Sequence, residues 1–241
     1  MTDITATLSR LAQLYQPNEG ARHILEQANV LLLVGISGAG KDTIQSRLLE
    51  SGDYHRITTH TTRPPRANNG VMEQNGREYH FVSYEEMESL LADHRMIEVN
   101  QYGSNFYGTS LEEFETAARE NKIAVGDIDI NGITAFRHLS DTVRAAFIIP
   151  PDYAAWRERL SKRYATEDEL DAEFPERRLA AIAELEHALS VSYYHFIIND
   201  DLDRAVRVVD EIAHRSDAFN QHDDEARLKV RQLLEAIKAD V

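Results

Sequence analysis

A glycine-rich run, Gly35-Ile36-Ser37-Gly38-Ala39-Gly40-Lys41-Asp42-Thr43, stands between an aliphatic stretch, Val30–Val34, and a helix-like stretch, Ile44–Glu50. This is G-x-x-x-x-G-K with a strand before it and a helix after it, the context in which the pattern forms a phosphate cradle. Glycines let backbone N–H groups turn inward on phosphate oxygens, the helix N-terminus adds positive potential, and Lys41 reaches the β and γ phosphates. The run therefore predicts a nucleoside triphosphate site built by Gly35, Ser37, Gly38, Ala39, Gly40, Lys41, Asp42 and Thr43. Where the pattern usually carries Ser or Thr as a magnesium ligand, this chain has Asp42. A carboxylate also ligates Mg²⁺, directly or through water, but adds negative charge beside the triphosphate. Thr43 is no simple substitute, because one step along a helix turns a side chain by about 100°. An altered metal shell and a weakened site are both open, and the intact glycines and lysine favour the first.

Further along, Thr59-His60-Thr61-Thr62-Arg63-Pro64-Pro65-Arg66 lies in a stretch between Asp53 and Glu73 that holds no acidic residue. Two arginines held by prolines make a rigid cationic pair suited to a phosphate dianion, although such a loop taken alone reads more simply as solvated surface. Asp127-Ile128-Asp129-Ile130-Asn131-Gly132 imitates the opening of a calcium loop. Its twelfth position is His138 rather than a bidentate glutamate, and the run before it reads as a strand, so calcium binding is rejected. Residues 157–178 carry Arg157, Arg159, Arg163, Arg177 and Arg178 around an acidic middle, a pattern that also fits a solvated helix pair laced with ion pairs. No H-E-x-x-H spacing occurs among the histidines.

These groups need a scaffold. The chain has 241 residues, 41 acidic and 26 basic, for a formal charge of −15, with 42% hydrophobic and 28% charged residues. That composition reads as soluble and globular, with enough chain for a proper core. The acid excess argues against general nucleic-acid binding, which needs a broad basic face. With no cysteine, disulfides, Cys-ligated zinc and thiol catalysis are excluded. The longest aliphatic run, Val30–Val34, is too short to cross a bilayer. The start, Met1-Thr2-Asp3-Ile4-Thr5, resembles no secretory leader, so a cytoplasmic protein is expected. Four short runs, Val30–Val34, Ile123–Val125, Ala145–Ile149 and Phe196–Ile198, are apolar on both faces and spaced for crossover helices. They predict parallel strands covered on both sides. Asn75-Gly76, between Val71-Met72 and Tyr79–Val82, predicts a hairpin in a partly antiparallel insert. Leu8–Tyr15 reads as a helix, as does Asp224–Ala239 with Leu228, Leu233, Leu234 and Ile237 near helical spacing.

With the phosphate loop upstream, residues 30–213 resemble the guanylate kinase family. Its Ser-x-Thr-Thr-Arg-x-Pro-Arg segment is matched by Thr59 to Arg66, with Thr59 for serine. Its acidic strand and Asn-Tyr-Tyr-Gly-Ser/Thr run appear as Ile97-Glu98 and Asn105-Phe106-Tyr107-Gly108-Thr109. Its Asp-Ile-Asp-x-Gln-Gly appears as Asp127 to Gly132 with Asn131 for glutamine, and its late Asn-Asp-Asp turn is Asn199-Asp200-Asp201. About four extra residues lie between Arg66 and Tyr79 and about four in the lid, both in loops where length is cheap.

The resemblance implies an α/β fold: a P-loop NTPase core with a parallel sheet flanked by helices, a small partly antiparallel GMP-binding insert, and a helical lid. On it the boundaries are an N-terminal helical extension 1–29 and a kinase-like domain 30–213 (core 30–58, 110–156 and 179–213; insert 59–109; lid 157–178). A C-terminal helical extension, 214–241, completes the chain. It implies ATP-dependent conversion of GMP to GDP. Glu98 would accept from guanine N1–H and the N2 amine, and Thr59 and Thr109 would donate to O6. Adenine offers neither donor, so such a site can reject it by about 10⁴. Arg63, Arg66, Tyr79 and Tyr107 would hold the 5′-phosphate, and Asp127 and Asp129 would complete the GMP side. Lys41, Arg63, Arg159, Arg163 and Arg178 would neutralise the migrating phosphoryl group, with Asn199 beside the adenine and Mg²⁺, at Asp42, travelling with ATP. Small-molecule substrates are then the partners, with no nucleic acid and no membrane, and a homo-oligomer is compatible with the sequence. Two other readings stay open. One is a related P-loop kinase for another phosphorylated acceptor such as ribose 1,5-bisphosphate, where Lys-Asp also occurs. The other is a non-catalytic guanylate-kinase-like binding module, which typically loses the loop's lysine or glycines.

Overall fold

The computed structural model describes residues 4–68, 70–214 and 224–240. The opening Met1-Thr2-Asp3, and residues 215–223 and 241 of the C-terminal segment, lie outside the described residues.

Two helices lead, α1 (Ile4–Leu14) and α2 (Glu19–Gln27), followed by β1 (Val30–Val34), α3 (Lys41–Leu49) and β2 (Tyr54–Arg56). Short strands come next: β3 (His60–Thr61), β4 (Ala67–Asn68), β5 (Val71–Met72) and β6 (His80–Phe81). Then come α4 (Tyr84–Ala92), β7 (Met96–Tyr102), β8 (Asn105–Ser110), α5 (Leu111–Arg119), β9 (Ile123–Asp127), α6 (Ile130–Leu139) and β10 (Arg144–Ile149). The remainder is α7 (Tyr153–Ser161), α8 (Glu167–Ser190), β11 (Tyr194–Ile198), α9 (Leu202–His214) and α10 (Asp224–Ala239). The fold is α/β, with parallel strands in the order β11-β10-β1-β9-β2, helices flanking them, and a mixed sheet β6-β3-β8-β7. Among the described residues no helix is long and apolar enough to cross a membrane.

The chain divides into two compact units. The second comprises Leu31–Gly52, Asp127–Ile133 and the chain from Arg144 onward. Its β1 is buried at every position because both faces meet apolar side chains. It runs parallel to β10 with Leu33 opposite Ala146, and β10 parallel to β11 with Ile148 opposite Ile197. At Gly35 the chain turns at φ +139°, and a Cβ there would stand 2.2 Å from the Ile148 carbonyl oxygen. Only glycine permits that approach. In α8 the helix runs through Pro175, and its start is capped by the Thr166 side chain, which accepts from the Glu169 amide. On α10 the buried stripe is Ala226, Val230, Leu233, Leu234 and Ile237; Leu228 faces outward, half exposed.

The first unit comprises the chain up to Val30, Asp53–Gly126 and Thr134–Val143. Here β2 runs parallel to β9, β3 parallel to β6, and β3 and β7 antiparallel to β8. Ser83 and Glu86 close a capping box at the start of α4. Leu8 of α1 joins Met87, Leu91, Met96 and Phe106 in one apolar cluster. The Tyr15 hydroxyl donates to the Met96 carbonyl at 2.6 Å, so the N-terminal segment braces β7. The hairpin expected at Asn75-Gly76 is not formed. Val71-Met72 pairs instead with Ala67-Asn68, and the reversal uses Gly70 at φ +79°. Gly76, at φ +78°, makes a separate turn in which its N–H donates to the Tyr79 carbonyl at 2.9 Å. Two Gly-centred turns compete for one extra length of chain, and Gly70 has the paired strands directly beside it.

Candidate active site

The phosphate loop lies in the second unit. Gly40, at φ +97°, precedes α3, and a Cβ there would stand 2.4 Å from the Asn199 amide nitrogen. The Asn199 side chain donates to the Ala39 carbonyl at 2.8 Å, and Trp156 Nε1 donates to the Ser37 carbonyl at 2.8 Å. Gly38 is buried, and its neighbours Ser37 and Ala39 are held by these two side chains from outside the motif. Lys41 Nζ donates to the Gly35 carbonyl at 2.5 Å and lies 3.8 Å from Asp127 Oδ1. The ammonium is thus held between the loop's first carbonyl and the carboxylate that ends β9.

Two arginines of segment 157–178 reach this loop. Arg159 Nη2 donates to the Asn199 carbonyl at 2.8 Å, and its Nη1 lies 3.4 Å from the Ala39 carbonyl. Arg163 donates to Ser37 Oγ at 3.0 Å and meets Asp42 Oδ2 at 3.4 Å. Asp42, at the first turn of α3, thus has an arginine partner, and Thr43 faces outward. Arg178 is not brought to the loop. Its Nε donates to the Ile237 carbonyl at 2.8 Å and its Nη2 to the Lys238 carbonyl at 2.7 Å, so it caps the C-terminus of α10. In this structure it stands apart from Arg159 and Arg163. A helix end leaves carbonyls without donors, and a guanidinium fork one helix away satisfies two of them.

Asp127 ends β9 beside Lys41. Burial pushes its carboxyl up to about 6, with Asp42 and Asp129 adding to the rise and Lys41 and Arg163 opposing it. Asp129 instead serves the chain: its Oδ1 accepts from the amides of Asn131 at 3.0 Å and Gly132 at 2.7 Å, at the start of α6. Glu184 of α8 escaped the sequence reading. Burial raises its carboxyl to about 7, Lys41 opposes, and its Oε2 is buried without a hydrogen-bond partner among the described residues. No group of three or more metal-ligating side chains occurs among the described residues.

The other set of expected residues lies in the first unit. Glu98 of β7 is opposite Thr109 of β8, after a register shift between Met96 and Glu98. Such a bulge re-aims a side chain. Glu98 Oε1 accepts from Thr109 Oγ1 at 2.8 Å and Oε2 from Asn100 Nδ2 at 2.7 Å. The carboxylate and the hydroxyl expected to read guanine therefore stand side by side, and Asn100, two residues along the strand, was not foreseen. A Cβ on Gly108 would lie 2.5 Å from the Glu98 carbonyl oxygen, which keeps that position small.

Arg63 is buried, and its guanidinium is clasped by Glu73 in two bonds of 2.9 and 3.0 Å. Glu73 Oε2 also accepts from the Arg66 amide at 2.8 Å, while Arg66 itself is exposed. The bond to Glu73 first, and Tyr107 after it, raise the Arg63 pKa. The guanidinium lies 5.2 Å from the Tyr79 ring centroid, and the Tyr79 and Tyr107 rings meet edge-on at 6.0 Å. Arg63, Tyr79 and Tyr107 thus form one cluster with phenolic and guanidinium donors. Thr59 is partly exposed, and its carbonyl accepts from the His80 amide at 2.9 Å. Glu73 is the first acid after the acid-free stretch, so the sequence does mark its position.

A family model for guanylate kinase matches residues 27–216. The guanylate kinase of Neisseria gonorrhoeae is 36% identical over 180 residues, 74% of this chain and 83% of that one. That of Schizosaccharomyces pombe is 33% identical over 185 residues, 76% of this chain and 88% of its own. The crystal structure of guanylate kinase from Anaplasma phagocytophilum matches with a TM-score of 0.56 at 25% identity, covering 84% of this chain and 94% of that one. By the extent of these matches, together with its own phosphate loop and paired Glu98 and Thr109, the chain belongs to the guanylate kinase family.

Proposed function

We propose that this chain is an ATP:GMP phosphotransferase, and that the residues placed above divide the work as follows. A non-bridging oxygen of the GMP 5′-phosphate attacks the γ-phosphorus of ATP in line. The bond from that phosphorus to the bridging oxygen breaks, and ADP leaves. The attacking phosphate is already largely ionised near neutral pH, so no general base is required. Alignment and charge neutralisation carry the catalysis. Lys41, Arg159 and Arg163 neutralise the transferring group; Gly35, Ser37, Gly38, Ala39, Gly40 and Thr43 supply the loop; Asn199 borders the adenine. The insert 59–109 takes GMP, with Glu98, Thr59 and Thr109 on the base and Arg63, Arg66, Tyr79 and Tyr107 on the phosphate. Segment 157–178 acts as a lid that excludes water, which would otherwise compete as acceptor. Arg178 joins them only on leaving the α10 carbonyls it now serves.

The single observation that carries the reading is the coincidence, in one family-matched chain, of a lysine-bearing phosphate loop with a carboxylate–hydroxyl pair suited to guanine. The carboxylates of Asp42 and Asp127 are hard oxygen donors beside Lys41, a donor set that fits magnesium held partly through water. When bound, the ion would neutralise phosphate charge.

The test is ADP release from ATP and Mg²⁺ with GMP, dGMP, AMP, UMP or ribose 1,5-bisphosphate as acceptor. Turnover on GMP and none on AMP is expected. Turnover on the sugar alone, or on no acceptor, would overturn the reading.

A further inference from the structure

In the first unit a second layer of polar groups lies behind the acceptor residues. Glu113, in the first turn of α5, is 6% exposed and shares its buried arc with Leu111, Phe114 and Ala117. A carboxylate in such a place is costly unless its oxygens are fully occupied. Both are. Oε2 accepts from the Thr58 amide at 2.8 Å and lies 3.2 Å from His55 Nε2, while Oε1 lies 2.9 Å from His80 Nε2. Burial pushes this carboxyl up, but the bonds from His55, His80 and the Thr58 amide outweigh it and hold Glu113 down at about 2. The same bond to Glu113 raises His80 above its ordinary value, with burial opposing and Glu112 adding to the rise. His60 stacks on His80 with ring centroids 4.6 Å apart, and burial first, then the His80 charge, lowers it to about 4.

One side chain on α5 therefore fastens β2 through His55, the link into β3 through Thr58, and β6 through His80. Each of the last two is one residue from a group assigned to GMP: Thr59 follows Thr58, and Tyr79 precedes His80. The backbone closes the circuit, because the His80 amide donates to the Thr59 carbonyl at 2.9 Å and His60 lies opposite His80 in the β3–β6 pair.

We propose that Glu113 is a positioning residue for the acceptor nucleotide, setting Thr59 and Tyr79 through Thr58 and His80 without touching the substrate itself. This rests on the GMP reading. A core carboxylate with a merely structural role would, when altered, lower stability and harm both substrates together. A positioning role predicts a split. Glu113→Gln keeps an oxygen for the Thr58 amide and withdraws the charge from His80. It should raise KM for GMP about tenfold, a difference of about 1.4 kcal/mol, with KM for ATP unchanged within twofold. His80→Gln, at a partly exposed position, should raise KM for GMP about threefold. The double variant should be no worse than Glu113→Gln alone, because both act through one bond. In the proton NMR spectrum, the titration of His80 should fall toward an ordinary histidine in Glu113→Gln.

Steady-state kinetics on both substrates, with circular dichroism at 25 °C to verify folding, decide the matter. An unchanged KM for GMP in a folded Glu113→Gln protein overturns the proposal, as does a parallel rise in KM for ATP and GMP. If Glu113→Gln does not fold, the same criteria apply to His80→Gln. Wild-type turnover on GMP is measured first. Its absence defeats the GMP reading and takes this inference with it, whereas wild-type turnover with unaltered variants defeats this inference alone.

Discussion

The triphosphate side and the mononucleotide side are built from different materials. In the second unit the phosphate loop is largely backbone: amides gathered by glycines at positive φ, backed by Asn199 and Trp156, with Lys41 as the charge that reaches out. On the proposed reading, the corresponding work in the first unit falls to side chains from β7, β8 and the loops beside β3 and β6, and the principal groups are held by other side chains. Arg63 is held by Glu73, Glu98 by Asn100 and Thr109, and the β3–β6 segment by Glu113. A site made of backbone recognises what every nucleotide has, its phosphates. A site made of side chains distinguishes one base from another, and needs a layer of supporting groups to hold its shape.

The sharpest way to break this contrast is to alter each side alone. Lys41→Ala should lower kcat by about 10²–10³ while calorimetric binding of GMP stays within threefold of wild type; equal loss of GMP binding would mean the two sets of residues are not separable. Glu98→Gln comes next. The amide presents a donor where guanine also presents donors, so kcat/KM for GMP should fall about 10²-fold, a cost of about 2.7 kcal/mol, with ATP affinity nearly unchanged. If ATP binding falls as much as GMP use, Glu98 is structural.

Acid separates the two sides differently. Glu113 is held at about 2 against an ordinary 4.5, so the stability it lends is complete above 4.5 and lost as pH falls toward 2. His60 is held at about 4 against 6.5, so keeping it neutral costs increasingly as pH falls from 6.5 toward 4. Both drain the first unit on acidification, while His80, raised by its bond to Glu113, opposes them as it takes up its proton. Asp127 and Glu184 in the second unit are raised, to about 6 and about 7, and proton uptake there favours the folded form. Between pH 7 and pH 4, the protection of β3 and β6 amides against hydrogen exchange, corrected for the intrinsic exchange rate at each pH, should therefore fall before that of β10 and β11. A simultaneous fall in both would show that the first unit has no separate acid weakness. Smallest of all, Asp42→Ser should keep activity within a few-fold and shift the Mg²⁺ concentration required. Complete loss would assign the carboxylate a larger role than its contact with Arg163.

The same contrast explains what the sequence could tell. The phosphate loop was legible because it is contiguous and its strand and helix flanks follow directly from periodicity: β1 and α3 lie where Val30–Val34 and the residues after Lys41 suggested. Thr59 to Arg66, Glu98 and Thr109 were legible only through resemblance, since an acid in a strand or an arginine by a proline has no chemistry of its own. The supporting groups were not legible. Glu73, Asn100 and Glu113 gain meaning from partners 10, 2 and 33 residues away in the chain, and nothing local marks those pairings. Glu113 did leave a trace, an acid set in the apolar arc of an amphipathic helix. Misplacing the hairpin had a local cause. Asn75-Gly76 is the stronger turn dipeptide, but the strands able to pair are those on either side of Gly70.

Arg178 adds a consequence at the far end of the chain. Its guanidinium serves the last carbonyls of α10 with Nε–H and one Nη2 N–H, two of its five donors. If an anion drew the side chain away from those carbonyls, tail docking and anion capture would be antagonists joined by a single side chain. By reciprocity, whatever clamps the final helix more firmly would then loosen that anion's grip to the same degree.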